Sequence, residues 1–487
     1  MQTPEPANSD TTVQSSAICR TPTKPVTETE KRIVLLIAIL AGFLTPFDGS
    51  AVNIALPTIG TQFHMDAIAL SWVATAYILA SALFLVPFGK IADIYGRKKI
   101  FLCGLAVFGA ASFVMTLVAT EQQMIAVRVL QGIGAAMIFG TSVAILTEVY
   151  PPGERGKALG IYVTSVYLGL TVGPFAGGIL TDMFGWQTIF YLNIPLAIGA
   201  IALILWKLKG EWAECAGEHF DLTGSLIYSI GLVALMYGFS VLPAISGGAL
   251  VAAGIGFLVF FVWFELRQAS PVLDMKLFTR SRIFTFSSLA ALINYAATYA
   301  IAFLLSLDLQ YTKGFSAEHA GFIIVAAPFV QMLVSPFAGR LSDRYDSQVI
   351  SSVGMGLTAL GLFLFVFLTA ATPLWYIVAV LMVLGLGFGL FSSPNTNAMM
   401  SAVEKRYYGV ASGINGTVRL LGQMLSMGIA MMAFAIFIGN VEITPQYYPQ
   451  FTESLHWLFM IFTVMCVIGI FASLARGKNE RQFAKPE

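Results

Sequence analysis

The stretch Gly89-Lys-Ile-Ala-Asp93-Ile-Tyr-Gly96-Arg97-Lys98-Lys99 separates two long apolar runs, and 250 positions later Gly339-Arg-Leu-Ser-Asp343-Arg-Tyr-Asp346 separates two more. A second echo pairs Gly160 and Gly169 with Gly413 and Gly422, at an offset of 253. Two concordant offsets at matching places mean one unit used twice. A helix crosses a bilayer core with about 20 apolar residues. By that measure the spans lie at 33–57, 70–89, 100–119, 123–149, 157–181, 186–206, 222–241, 247–266, 283–308, 317–339, 349–369, 373–396, 409–434 and 455–475. The expected layout is a disordered polar tail at 1–30, a six-helix bundle at 31–206, a linker with two inserted helices at 207–282, a second six-helix bundle at 283–475 and a tail at 476–487.

Composition agrees with an all-α polytopic membrane protein. Hydrophobic residues make up 57% of the 487 and charged residues 11%, too few charges to cover a soluble surface. The 27 basic residues nearly balance the 26 acidic ones, which argues against a nucleic-acid partner. Resolved by position, the balance is lopsided. With the N-terminus inside, 24 of the 27 basic residues fall in the tails and the cytoplasmic loops, leaving Lys313 outside and Arg128 and Arg419 within spans. Asp66, Glu121, Asp182, Asp308, Glu318, Glu442 and Glu453 fall in the outer loops and rims. Basic residues collect on the cytoplasmic side, so both termini are expected there. The four Cys and four His form no metal-ligand spacing, and no phosphate-binding glycine loop is present. No cofactor, no metal and no enzymatic activity are expected.

Several segments carry a resemblance. Gly89…Asp93…Gly96-Arg97-Lys98 resembles the cytoplasmic loop motif of the major facilitator superfamily. Arg128-Val-Leu-Gln131-Gly132-Ile-Gly134 resembles its fourth-span motif, and Gly169-Leu-Thr-Val-Gly173-Pro174-Phe-Ala-Gly177-Gly178 its fifth-span antiporter motif. Phe47-Asp48-Gly-Ser-Ala-Val-Asn53-Ile-Ala-Leu-Pro57, Trp186-Gln-Thr-Ile-Phe-Tyr-Leu-Asn193-Ile-Pro195 and Phe220-Asp221-Leu-Thr-Gly224 look like the fourteen-span drug:proton antiporter branch. The second loop motif is eroded: Asp346, Ser347 and Gln348 replace the Gly-Arg-Lys of the first, and Gln187 stands where the branch has arginine. The resemblance implies the major facilitator fold, a monomer, and residence in the plasma (inner) membrane.

Asp48 lies deep in an apolar span, where an ionised carboxylate costs several kcal/mol unless paired or hydrated. It either faces a wet cavity or holds a proton, and both suit a proton-coupling site; a polar residue that merely stabilises packing is the bland alternative. Arg128 cannot shed its charge and must point into the bundle. Counted at about 1.5 Å per residue, Asp48 and Arg128 are close enough in depth for an arginine side chain to bridge. Arg419, near mid-depth, has three open roles: lining the cavity, attracting an anionic substrate, or balancing Asp48. Asp48, Asn53, Arg128 and Arg419 are thus the candidate proton-coupling and cavity residues, and the resemblance associates Arg128 with proton transfer. Gly89, Asp93, Gly96 and Arg97, with Glu148 and Arg155 as partners, imply a conformational latch in which Asp93 caps a helix. Gly169, Gly173, Pro174, Gly177 and Gly178 imply antiport. Asn294, Gln331, Asn395 and Asn397 are further polar candidates for the cavity, each equally suited to bonding between helices.

The expected function is export of small lipophilic or cationic compounds in exchange for protons by alternating access. An alternative is a proton-coupled exporter of one specific metabolite, such as an amino acid, siderophore or antibiotic. Uptake by symport and a non-transporting sensor are weaker readings. The partners implied are a small-molecule substrate, protons and the lipid bilayer.

Overall fold

A computed structural model describes residues 27–151, 154–208, 210–212, 220–268, 271–273, 275–342, 344–404 and 408–477. Nearly all of both expected tails, and Asp343 of the second loop motif, lie outside the described residues. The described residues form fourteen helices long and apolar enough to span a membrane. They are α1 (Glu28–Phe63), α2 (Ala67–Tyr95), α3 (Arg97–Met115), α4 (Glu121–Val149), α5 (Arg155–Phe184), α6 (Gln187–Lys207), α7 (Leu222–Val241), α8 (Ile245–Glu265), α9 (Arg282–Thr312), α10 (Ala317–Ser342), α11 (Ser347–Phe365), α12 (Leu374–Ser401), α13 (Val410–Phe437) and α14 (Pro445–Ala475). Each expected span overlaps one of them. The end of the bundle carrying Phe63, Met115 and Glu121 is termed the outer end.

Short polar residues set the helix starts. Thr27 and Glu30 form a capping box on α1, Asp66 accepts from Ala69 N–H at 2.7 Å before α2, and Thr120 caps α4. Each satisfies a backbone donor that the helix leaves open. The third and eleventh spans end four residues earlier than the hydropathy reading. Thr116 there bonds back to Phe113 O at 2.8 Å while Leu117 and Val118 continue as an apolar turn, so apolar character outlasts the helix.

The repeat is visible as packing. A Cβ on Gly169 would stand 2.5 Å from Phe43 O and 3.1 Å from Phe47 N of α1. One on Gly422 would meet Leu292 O at 2.8 Å and Ala296 N at 3.1 Å of α9. Likewise Gly134 lies on Gly104 O of α3 and Gly387 on Gly354 O of α11. Small residues at these points let helices touch backbone to backbone, the packing open to helices in lipid. The inserted pair α7–α8 packs on itself through Gly238, Gly247 and Gly254. Helix α7 also rests on α2 and α13, with Tyr228 Oη donating to Ala82 O at 3.1 Å.

Helix α9 departs from regularity at Asp308–Thr312, a π-helical turn. Asp308, expected among the outer acids, lies in this turn near the outer end with its side chain buried, 1% exposed. Contacts between the two halves tie the outer end together. Gln310 Nε2 donates to Ile54 O at 2.9 Å, Tyr311 Oη to Pro57 O at 3.2 Å, Glu318 N to Asp182 Oδ2 at 2.8 Å and Ala67 N to Val441 O at 3.1 Å.

Candidate transport site

Asp48 and Arg128 meet in the core of the first half. Asp48 is 0% exposed and Arg128 1%. Arg128 Nη1 lies 2.6 Å from Asp48 Oδ2. The same nitrogen donates to Gln131 Oε1 at 3.0 Å, and Arg128 Nε donates to Val73 O at 3.1 Å. Asn193 Nδ2 donates to the other Asp48 oxygen at 2.7 Å. Tyr77 closes one face, its ring centroid 4.3 Å from the guanidinium carbon. Gln131 Nε2 is itself fixed by a donation to Ser112 Oγ at 3.0 Å.

Five helices therefore hold one buried ion pair. Two such charges are tolerated away from water only when nearly every lone pair and proton is satisfied. The second half supplies an internal control. Aligned by the glycine contacts above, Asp48 corresponds to Ala297, Arg128 to Leu381 and Gln131 to Leu384. The fold does not require polar residues there, so this cluster is an addition to it. Asn193→Ala is expected to lower unfolding free energy by about 1–3 kcal/mol, because Asp48 Oδ1 loses its donor in a dry site. Thermal unfolding in detergent checks this; an unchanged transition would mean water replaces the amide.

Of the other predicted residues, Asn53 is buried but joins no hydrogen bond of this cluster. Arg419 is half-buried on α13 and belongs elsewhere: its guanidinium carbon lies 5.4 Å from the Phe139 ring of α4. The partners Asn193, Gln131, Ser112 and Tyr77 had no role assigned from sequence. Gln131 carried a signal, one helical turn from Arg128 on the same face, and so did Asn193, a lone amide in an apolar span. Ser112 and Tyr77 carried none.

The antiporter glycines divide between two neighbours. Gly169, Gly173 and Gly177 face α1, where a Cβ on Gly177 would stand 2.7 Å from Ala51 Cα and one on Gly173 would strike Ser50 Oγ. Gly178 faces the other half: its Cβ would lie 2.5 Å from Ala317 O of α10. Gly321 of α10 in turn abuts Pro174 O.

At the inner end, Gly96 takes φ +119°, a conformation that disfavours other residues. Arg97 Nε donates to Asp93 Oδ1 at 2.8 Å, and its Nη1 lies 3.7 Å from Glu148 Oε2. Helix α3 starts at Arg97 behind Gly96, which as a glycine offers no capping side chain, and the Asp93 carboxylate is engaged by Arg97. Arg155 bonds the carbonyls of Thr147 and Tyr150. The linker closes over this turn, with Trp212 O accepting from Arg97 N at 2.8 Å and Glu211 Oε1 from Lys98 N at 2.9 Å. In the second half Arg476 does the tying. It is 2% exposed and donates to Ser287 Oγ, Asn395 Oδ1, Ser347 O and Ser473 Oγ at 2.9–3.2 Å. Burial lowers its pKa to about 10, so it stays charged at neutral pH. Asn395 is thereby a structural residue.

The comparisons with known proteins agree with this architecture. The riboflavin transporter RibZ of Clostridioides difficile (strain 630) is 29% identical over 444 residues, covering 91% of this chain and 96% of RibZ. The multidrug resistance protein Stp of Mycobacterium tuberculosis (strain ATCC 25618 / H37Rv) is 30% identical over 415 residues, covering 84% of this chain and 76% of Stp. A solved bacterial homolog of the human lysosomal transporter Spinster, inward-facing and unoccupied, shares the fold with a TM-score of 0.64 at 19% identity, over 94% of this chain and 98% of that one. The model of the Major Facilitator Superfamily matches residues 38–427 and, again, 287–486. The chain belongs to the Major Facilitator Superfamily, a family of transporters and not of enzymes.

Proposed function

We propose that this transporter exports small lipophilic compounds in exchange for protons by alternating access, as a monomer in the plasma membrane with both termini in the cytoplasm. The observation that carries this reading is the dry Asp48–Arg128 pair. In the closed arrangement Asp48 is held by Arg128 and Asn193. When the halves part, water reaches the carboxylate and a proton competes with Arg128 for it. A protonated Asp48 releases the guanidinium, so proton occupancy and side-chain pairing exclude one another. Coupling needs such an exclusion. The cationic cargo that the sequence left open meets no unengaged carboxylate here, since Asp48 already has two donors.

The latch reading places Gly96, Arg97, Asp93 and Glu148 at the inner end, where ion pairs among α2, α3 and α4 stiffen one half as it moves. A second reading, transport of one specific metabolite, draws support from the similarity to a protein named as a riboflavin transporter. Reconstituted vesicles with an imposed pH gradient test the main reading. A panel of lipophilic compounds is expected to move against the proton flux, with several compounds active. Movement of one compound alone favours the metabolite reading, and absence of any proton flux removes exchange.

A further inference from the structure

Three deep charges were visible in the sequence, and the structure pairs only two of them. Among the described residues Arg419 makes no ion pair and no hydrogen bond, and its Nε is buried without a partner. Its only described partner is the Phe139 ring across the gap between the halves. The guanidinium lies within electrostatic reach of Tyr162 and Tyr167 of α5 and of Tyr299 of α9. Tyr299 also lies within electrostatic reach of Asp48 and Arg128. One turn toward the inner end, a Cβ on Gly416 would stand 3.7 Å from the Leu85 side chain of α2. Asn415, half-buried on the same face as Arg419, makes no described hydrogen bond either. This face of α13 thus looks into the space between the halves and not into lipid.

A permanent cation at mid-depth costs several kcal/mol unless something answers it. No carboxylate of the described residues does. We propose that the transported molecule carries an acidic group, a carboxylate or its equivalent, on a planar apolar body, and that Arg419 receives this group with Phe139 and Tyr167 against the body. Arginine suits the task because its planar fork bonds a carboxylate through two parallel donors. Tyr167 is placed by its hydroxyl, 2.8 Å from Ser392 Oγ of the other half. The inference rests on the transport reading above and names its substrate class. Proton and substrate then use different groups, Asp48 and Arg419. Exchange follows from which states of the two halves interconvert, and not from competition for one carboxylate.

Binding of 2-naphthoate and of 2-naphthylmethylammonium to the purified full chain tests this, since the probes share a body and differ in charge. The wild type is expected to bind naphthoate more tightly. Arg419→Gln is expected to weaken naphthoate about tenfold or more, the size of a charge-assisted hydrogen bond, and to leave the ammonium probe unchanged. Arg419→Lys, which keeps the charge and loses the fork, is expected to fall between and guards against a folding defect. Ammonium bound as tightly as naphthoate, no measurable binding of either, or naphthoate affinity indifferent to both variants overturns the proposal. Proton movement in vesicles is read separately. Arg419-dependent naphthoate binding without proton movement upholds the site and removes the exchange reading.

Discussion

Asp48→Asn is expected to abolish proton-driven transport and to destabilise the protein by about 3–5 kcal/mol, more than Arg128→Gln does. The asymmetry follows from what each partner can do alone. Asparagine cannot take up and release a proton, and it leaves Arg128 in a site 1% exposed with no anion. Arginine cannot shed its charge to adapt. Without Arg128, by contrast, Asp48 can neutralise itself by binding a proton and keep Asn193 as a partner. Arg128→Gln is therefore expected to gain stability as the pH falls, while Asp48→Asn is not. The double variant Asp48→Asn with Arg128→Gln removes both charges and is expected to recover much of the stability with none of the transport. Thermal unfolding across pH and a pH-sensitive dye inside vesicles make the two measurements. Proton-driven transport by Asp48→Asn at normal expression would sink the proton-coupling role.

The helices were legible because hydropathy is the main physical signal a bilayer imposes on a chain. The repeat was legible because the same glycine contacts serve both halves, as Gly169 and Gly422 show. Within the site, Asp48 and Arg128 were legible as charges in the wrong solvent, and counting residues along each helix brought them to compatible depths. What escaped was the choice of partners. Nothing in the chain marks Ser112 or Tyr77 as neighbours of that pair, since their positions depend on how α2 and α3 rotate about their axes. Arg476 was read as one more positive-inside charge because it follows an apolar span directly, yet it folds back to bind three other helices. The burial of Asp308 was likewise not legible, since hydropathy places a carboxylate at a helix end without saying which side it faces.

Gly178→Ala and Gly321→Ala are expected to shift the protein toward an outward-open state and so to slow transport. Both residues lie where α5 of one half meets α10 of the other. A methyl group on Gly178 would sit 2.5 Å from Ala317 O and 3.0 Å from Glu318 Cα. One on Gly321 would press on Pro174 O. These obstacles are backbone and cannot rotate aside, so the helices themselves must separate. Overpacking of this kind costs about 1–3 kcal/mol. Here the cost falls on the closed arrangement alone, which moves a two-state equilibrium by about 5- to 150-fold. Gly169→Ala is the matched control. Its methyl would meet Phe43 O at 2.5 Å within one half, so it is expected to lower stability without favouring either state. Labelling of Ala55→Cys by a membrane-impermeant maleimide reads the equilibrium, since Ala55 is 0% exposed when the outer end is closed. Faster labelling from outside is expected in the Gly178→Ala and Gly321→Ala backgrounds and not with Gly169→Ala. Equal labelling in all of them would mean that the α5–α10 contact is packing only, and that the outer gate is held by the bonds of Gln310, Tyr311 and Ala67 instead.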